Sequence, residues 1–297
     1  MGRTKLKIDF KQPKGMGLDV SEYDIKQMFK ISGAKESFKL AVLPDIHFPD
    51  HSEEAVDAML QYLKDYKPHG LLMLGDFWEM DGVTRWDREN NDLDKTLTEL
   101  EEGAKFIKKK ILKAAGPQCK VKIFLSGNHE DWFRQYVEEM KTFSPDKIKL
   151  LERLFGSTKI EDLCGLKELG FDVHPYITEN NSCHMIKIGH AHFTHGYIAG
   201  MNPAKKLFNQ VLACVYQGHT ERLDTYRHRS IYGEKEAVTL GTLRDASKVT
   251  YNKGKLLGWN HSFTTFEFMK DGYFSRNTHQ IIKGRFSVNG KVYGRKK

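Results

Sequence analysis

From Phe38 onward the chain alternates compact apolar runs with stretches whose apolar residues recur at helical spacing. The run FKLAVLPDIHF at 38–48 reads as a buried strand, and after Ser52-Glu53-Glu54 the residues Ala55, Met59, Leu60 and Leu63 mark one face of a helix. The pattern repeats in GLLMLGD at 70–76, which is followed by a polar loop and a helix expected from about Leu93 to Leu112. It repeats again in VKIFLSGNHE at 121–130, which leads into the helical segment DWFRQYVEEM. Three buried strands that each alternate with a helix predict a largely parallel sheet covered on both faces.

The flanking segments follow other patterns. The first 37 residues are basic, carry Gly15, Gly17 and Gly33, and show only a short helical pattern around Ser21 to Phe29. They are expected to form an arm, with residues 38–297 making one domain. Within it, residues 142–175 read as a helical insertion, with KIKLLERLFG and IEDLCGLKELG as its amphipathic pieces. SCHMIKIGHAHFTHGY predicts one or two strands, NPAKKLFNQVLA a helix, CVYQGHTE a strand and turn, and residues 232–297 several β segments ending in a basic tail.

Composition narrows the class without deciding it. Hydrophobic residues make up 39% of the chain and charged residues 29%, with 8 prolines and 25 glycines, which excludes a collagenous or largely disordered protein. No apolar run approaches the roughly 20 residues needed to cross a bilayer. The opening MGRTKLKIDF lacks the apolar core of a secretory signal, and Leu6 stands where a myristoylation signal wants Ser or Thr, so no membrane association and a cytoplasmic location are expected. Cys119, Cys164, Cys183 and Cys214 have no paired spacing, so neither a zinc ribbon nor a disulfide framework is expected. The net charge of +8 favours an anionic partner such as nucleic acid, although a basic surface also serves solubility.

The chemistry lies where the strands end. Asp45 and His47, then Asp76, then Asn128 and His129 all fall just past the carboxyl end of an expected strand, and His195 and His219 occupy similar positions later. In open α/β sheets that edge binds ligands, so residues remote in sequence would meet in one crevice. They supply carboxylates, an amide oxygen and imidazoles, a mixture suited to two divalent ions of borderline hardness. Singly each motif is weak: Asp-x-His suits a turn, and Asn128 could be a helix cap. The order of five motifs carries the signal.

The series Asp45-x-His47, Gly75-Asp76, Gly127-Asn128-His129-Glu130, His195-Gly196 and Gly218-His219-Thr220 resembles the calcineurin-like metallophosphoesterase superfamily over residues 41–221. It is most similar to that superfamily's single-domain bacterial and phage phosphoesterases. The resemblance implies a four-layer α/β/β/α sandwich of the α/β class, with a bimetal centre between two sheets, and the place of the helical insertion after the histidine motif predicts a rim or lid over that site. It implies that Asp45 and His47 bind a first ion, that Asp76 bridges two, and that Asn128, His195 and His219 bind the second. His129 would protonate the leaving oxygen or stabilise its charge, and Glu79 would contact that histidine. Asn128 would also donate its amide to the substrate's phosphate. Where the family pattern ends in Gly-His-x-His, this chain has Glu221, either an oxygen ligand that favours Mn or Mg over Zn or a bystander. Manganese is the expected metal, with Mg, Fe or Zn as alternatives.

Gly189-His190-Ala191-His192 spells the last motif literally but precedes His195, which leaves His192 as a reserve ligand. The Asp-Arg-Gly of the phosphoprotein phosphatases is replaced by Glu79-Met80-Asp81-Gly82. Arg85 and Arg134 are nearby cations that could grip a phosphate, or simply solvated arginines. Trp78, Trp86 and Trp132 flank the motifs and could stack on a base, although packing under loops is the more ordinary role for them. The implied activity is hydrolysis of phosphate esters by attack of a hydroxide held by two metals. The expected class is a phosphodiesterase or nuclease acting on nucleic acid. The alternatives are a phosphomonoesterase acting on nucleotides or phosphoproteins and a non-catalytic binding module on the same fold.

Overall fold

In the computed structural model, described for residues 18–84, 92–249 and 257–294, the three apolar runs become neighbouring strands in one of two six-stranded sheets. In chain order the elements are β1 (Leu18–Tyr23), α1 (Ile25–Ser32), β2 (Phe38–Leu43), α2 (Glu53–Tyr66), β3 (Gly70–Met73), α3 (Leu93–Phe106) and α4 (Lys113–Ala115). There follow β4 (Val121–Leu125), α5 (Asn128–Phe143), α6 (Pro145–Phe155), α7 (Ile160–Leu163), β5 (Asp172–His174), β6 (Cys183–Ile188), β7 (Ala191–Thr194), α8 (Pro203–Val211) and β8 (Cys214–Gln217). β9 (Asp224–Ser230), β10 (Gly233–Thr239), β11 (Ser262–Phe268), β12 (Phe274–Gln280), β13 (Phe286–Val288) and β14 (Lys291–Tyr293) complete the described chain. The helix expected to run to Leu112 does so, but through a π-helical stretch at Ile107–Leu112 after α3.

Both sheets are mixed. One has the order β12-β11-β2-β3-β4-β5, with β2 to β5 parallel as the alternation of strands and helices requires, and β11 antiparallel to β2. The other has the order β1-β6-β7-β8-β10-β9, in which β7 and β8 are parallel. Three cores define four layers. Leu40, Val42, Leu72 and Ile123 of the first sheet meet Ile186, Phe193, Tyr216 and Val238 of the second. The opposite face of the first sheet, with Ala41, Leu71, Met73 and Phe124, is covered by Ala55, Met59 and Leu63 of α2 and by Leu100 of α3. The outer face of the second sheet, with Met185, Val215 and Ala237, is covered by Leu207 and Phe208 of α8. This is the expected α/β/β/α sandwich.

Two boundaries differ from the sequence reading. Of the expected arm, residues 18–32 belong to the fold: β1 pairs in parallel with β6, and Ile25, Met28 and Phe29 of α1 enter the core between the sheets. The expected insertion is helical through α6 and α7, but its end is the edge strand β5, paired in parallel with β4. Both strands are edges and half-buried, so neither shows a continuous apolar run. Among the described residues no helix is long and apolar enough to cross a membrane.

Candidate metal centre

The parallel strands β2, β3 and β4 end side by side, and the loops that leave β2 and β3 are laced together by their backbones. His47 N–H donates to the Asp76 carbonyl at 3.0 Å, and Asp45 N–H to the Gly75 carbonyl at 3.2 Å. The ends of β7 and β8 arrive from the second sheet, where His219 N–H donates to both Asp45 carboxylate oxygens at 2.9 and 3.1 Å. Asp45, His47, Asp76, His219 and Glu221 all adopt positive φ between 44° and 66°. Such backbone costs of order 1–3 kcal/mol per residue and is characteristic of functional sites. Tight approach also explains the motif glycines. A Cβ on Gly127 would lie 2.1 Å from Asp76 Oδ1, and one on Gly75, itself at φ +85°, would lie 2.5 Å from His195 Nδ1.

Two groups of side chains converge and share one corner. His47, Asp76 and His129 form one, and Asp76, His195 and His219 the other; within each group the ligand atoms all lie within 4.8 Å of one another. Asp76 Oδ2 stands 4.0 Å from His47 Nε2, 3.9 Å from His129 Nε2 and 3.2 Å from His195 Nε2. Asn128 joins the second group: its Oδ1 lies 3.0 Å from His195 Nε2 and 2.7 Å from His219 Nδ1. Glu221 adjoins the first, with Oε1 3.8 Å from His47 Nε2. Asp45 is buried among them but lies in neither group, its carboxylate being turned to the His219 amide.

Backbone carbonyls fix the orientation of two of the imidazoles. A carbonyl only accepts, so His195 Nδ1–H donates to Leu74 O at 2.9 Å and His129 Nδ1–H donates to Glu79 O, which leaves each Nε2 turned towards Asp76. The expected contact between Glu79 and His129 therefore needs correction, because it runs through the Glu79 backbone. The Glu79 carboxylate instead lies 2.8 Å from His47 Nδ1 and bonds Arg244. The carbonyl and the side chain of Glu79 leave the backbone in different directions and so face different histidines.

Charge in this cluster is poorly balanced by the protein alone. Burial pushes the Glu79 carboxyl up to about 9 and that of Glu221 up to about 8, with Arg244 opposing both, and burial raises Asp45 well above the carboxylate range. Burial also acts to raise Asp76, but His195 and His129 overcome it and hold Asp76 well below its ordinary value. Burial lowers His47 well below the ordinary range and takes His219 down to about 4, so both are neutral imidazoles able to ligate. His195 is pulled up to about 10 by Asp76 against its burial, which puts a proton where a cation would also satisfy Asp76. His47 Nε2 and Glu221 Oε2 are buried and have no hydrogen-bond partner. Orphaned donor atoms, neutral imidazoles and a surplus of buried carboxylates fit divalent cations.

Other expected positions resolve differently. His192 points away from the centre: it lies mid-strand in β7, and its Nδ1 donates to the Cys214 carbonyl at 3.2 Å. Arg134 is tied to Asp131 on its own helix at 2.6 Å, and Arg85 and Trp86 lie outside the described residues. Trp78 is a core residue, whereas Trp132 is half-buried and lies over the His129 ring with 3.9 Å between centroids.

Sequence reading missed two residues. Glu130 accepts the backbone N–H groups of Asp76, Phe77, Trp78 and Gly127 at 2.6 to 3.2 Å, clamping the loop after β3 to the start of α5. Its place at the third position of α5, where a capping-box glutamate belongs, is the one available signal. Arg244 has none, because it stands alone past the end of β10, outside every motif that the sequence offers.

No family model matches the chain. The Gene 54 protein of Mycobacterium phage L5 is 22% identical over 271 residues, which take in 86% of this chain and 99% of that protein. The Gene 54 protein of Mycobacterium phage D29 is 22% identical over 272 residues, with the same shares covered. Among solved structures, the chain is similar to Vacuolar Protein Sorting 29 from Cryptosporidium parvum, with a TM-score of 0.45 and 13% identity over 88% of this chain and 100% of that one. It is also similar to Vps29 of Chaetomium thermophilum, with a TM-score of 0.35 and 12% identity over 88% of this chain and 96% of that one.

Proposed function

We propose that the protein is a metal-dependent phosphoesterase of the calcineurin-like type, acting on phosphodiesters and in particular on nucleic acid. The observation that carries the reading is the pair of His/Asp groups sharing Asp76 at the common end of the strands. His47, Asp76 and Glu221 would hold one divalent ion, and Asp76, Asn128, His195 and His219 the other, with Asp45 fixing the His219 loop through its amide. Two such ions, when bound, supply Lewis acidity and charge neutralisation for hydrolysis of a phosphate ester.

The chain's own residues do the rest. His129, with its Nδ1–H committed to the Glu79 carbonyl, presents Nε2 at the edge of the centre, where a second proton, taken up on Nε2, would be the one passed to the leaving oxygen. Trp132 against its ring restricts its rotation. The Asn128 amide nitrogen is left as a donor to a phosphate oxygen when Oδ1 ligates. The net charge of +8 supports a polyanionic substrate. The test is turnover of bis-p-nitrophenyl phosphate against p-nitrophenyl phosphate with Mn, Mg and Zn, followed by DNA and RNA at increasing salt. Metal-dependent diester cleavage that is lost in His129→Ala, with polymer cleavage falling as salt rises, supports the reading. Turnover confined to monoesters removes the diester assignment, and metal binding without any turnover removes the enzyme.

A further inference from the structure

Arg244 is 3% exposed and lies between two acids. Its Nη2 bonds Glu79 Oε1, and its Nη1 is 3.6 Å from Glu221 Oε1. The Trp259 ring covers the guanidinium at 5.6 Å. The segment that carries it is fastened to the loop after β2: Leu243 N–H and Thr242 Oγ1 both donate to the Asp45 carbonyl, at 2.9 and 2.8 Å. The chain of contacts continues from the other Glu79 oxygen to His47 Nδ1 at 2.8 Å, and ends at His47 Nε2, which faces Asp76 and Glu221.

We infer that Arg244 is a positioning residue that acts through Glu79 and Glu221 to set cation affinity at one half of the centre, the half formed by His47, Asp76 and Glu221. The inference rests on the metal-centre reading above. Ionised against the Arg244 guanidinium, the Glu79 carboxylate on Nδ1 fixes the His47 tautomer with its proton on Nδ1 and the lone pair on Nε2, the atom turned to the cluster. Arg244 fixes that carboxylate, because one Glu79 oxygen is engaged by the guanidinium and only the other is left for His47. The same guanidinium lets Glu79 and Glu221 share a buried site without mutual repulsion. Lysine could not replace it, having one point charge where two carboxylates are held by separate nitrogens.

Glu79→Gln isolates the effect at nearly constant shape. If the amide oxygen stays on Arg244, the NH2 group meets His47 Nδ1 and drives the proton to Nε2, which removes the lone pair. If the amide turns round, its NH2 group faces the guanidinium. No arrangement satisfies both partners. His195, His219 and Asn128 are untouched by this change, so the second half should keep its affinity.

The experiment is calorimetric titration of Mn2+ into the metal-stripped full chain, its Glu79→Gln variant and its Arg244→Lys variant, with manganese electron paramagnetic resonance as a second readout. Wild type should bind two ions. Glu79→Gln and Arg244→Lys should weaken one of them by about 10- to 100-fold and leave the other within about threefold. A residue that merely supports the fold would weaken both together, so equal loss of both ions, or no loss, overturns the inference. If Arg244→Lys does not fold, Glu79→Gln decides. Two ions in wild type with an unaffected Glu79→Gln defeats this inference alone, whereas no Mn2+ bound by wild type defeats the metal-centre reading and this inference with it.

Discussion

Gly127→Ala should damage the metal centre by steric overlap alone. At φ −101° and ψ −169° the backbone of Gly127 suits any residue, so alanine adds no torsional strain. What it adds is a methyl group 2.1 Å from Asp76 Oδ1, 2.5 Å from Asp76 N and 2.8 Å from Asp76 Cγ. The first contact falls about 1.3 Å short of ordinary packing distance, and close-packed interiors do not yield so much locally. Asp76 has little freedom to retreat: its N–H is held by Glu130, its carbonyl by His47 and its Oδ1 by the His129 amide. The loops must part, at a cost of about 1–3 kcal/mol typical of overpacking. Because Asp76 is the shared corner, both ions should lose at least about tenfold in affinity, and a displacement of about 1 Å at a catalytic site can reduce turnover by about 10²-fold. Urea denaturation and Mn2+ titration measure the two effects. Gly258→Ala is the control, since its methyl would meet only the flexible Arg222 side chain, at 3.1 Å. Wild-type affinity for both ions in Gly127→Ala would refute the close approach on which the reasoning depends.

Further expectations concern stability. Glu130→Ala leaves four buried amides without their acceptor, each worth about 1–3 kcal/mol, so urea denaturation should show a loss of at least about 4 kcal/mol; a loss below about 1 kcal/mol would mean that the clamp is replaceable. Phe193→Ala removes a fully buried ring between Tyr216 and Phe266 and should cost about 3–5 kcal/mol by the same assay, with an unchanged midpoint speaking against the core between the sheets. Burial pushes His279 down from 6.5 to about 4, against Tyr62, Phe263 and Phe286. The unfolded chain therefore takes up this proton first, so the contribution is complete above pH about 6.5 and about 3 kcal/mol is lost as pH falls to about 4. His279→Gln should flatten that part of the acid limb; identical slopes for wild type and variant would contradict it.

What could be read from sequence and what could not divides along physical lines. β2, β3 and β4 are buried on both faces, so their apolar runs are continuous, and the ligand-bearing loops could be placed at strand ends without knowing the pairing. β1 mixes half-buried and exposed residues at a sheet edge, and β5 is three residues long; neither carries enough apolar signal to stand out from its surroundings. Within the site, residue types that ligate metals announce themselves by chemistry. Those that hold them in place do not: Arg244 meets Glu79 across 165 residues, and the division of labour at Glu79 between carbonyl and carboxylate depends on a loop conformation that no spacing encodes. Glu130 was visible in its motif, yet its four amide partners lie on two different loops.

The central claim is that Asp76 joins two cation sites into one centre, and metal stoichiometry tests it most directly. Equilibrium dialysis against Mn2+ followed by elemental analysis should find two ions per wild-type chain, with both weakened in Asp76→Asn because the variant gives up the carboxylate the two groups share. A wild-type chain that saturates with fewer than two ions, or an Asp76→Asn variant that holds two at wild-type affinity, would contradict it.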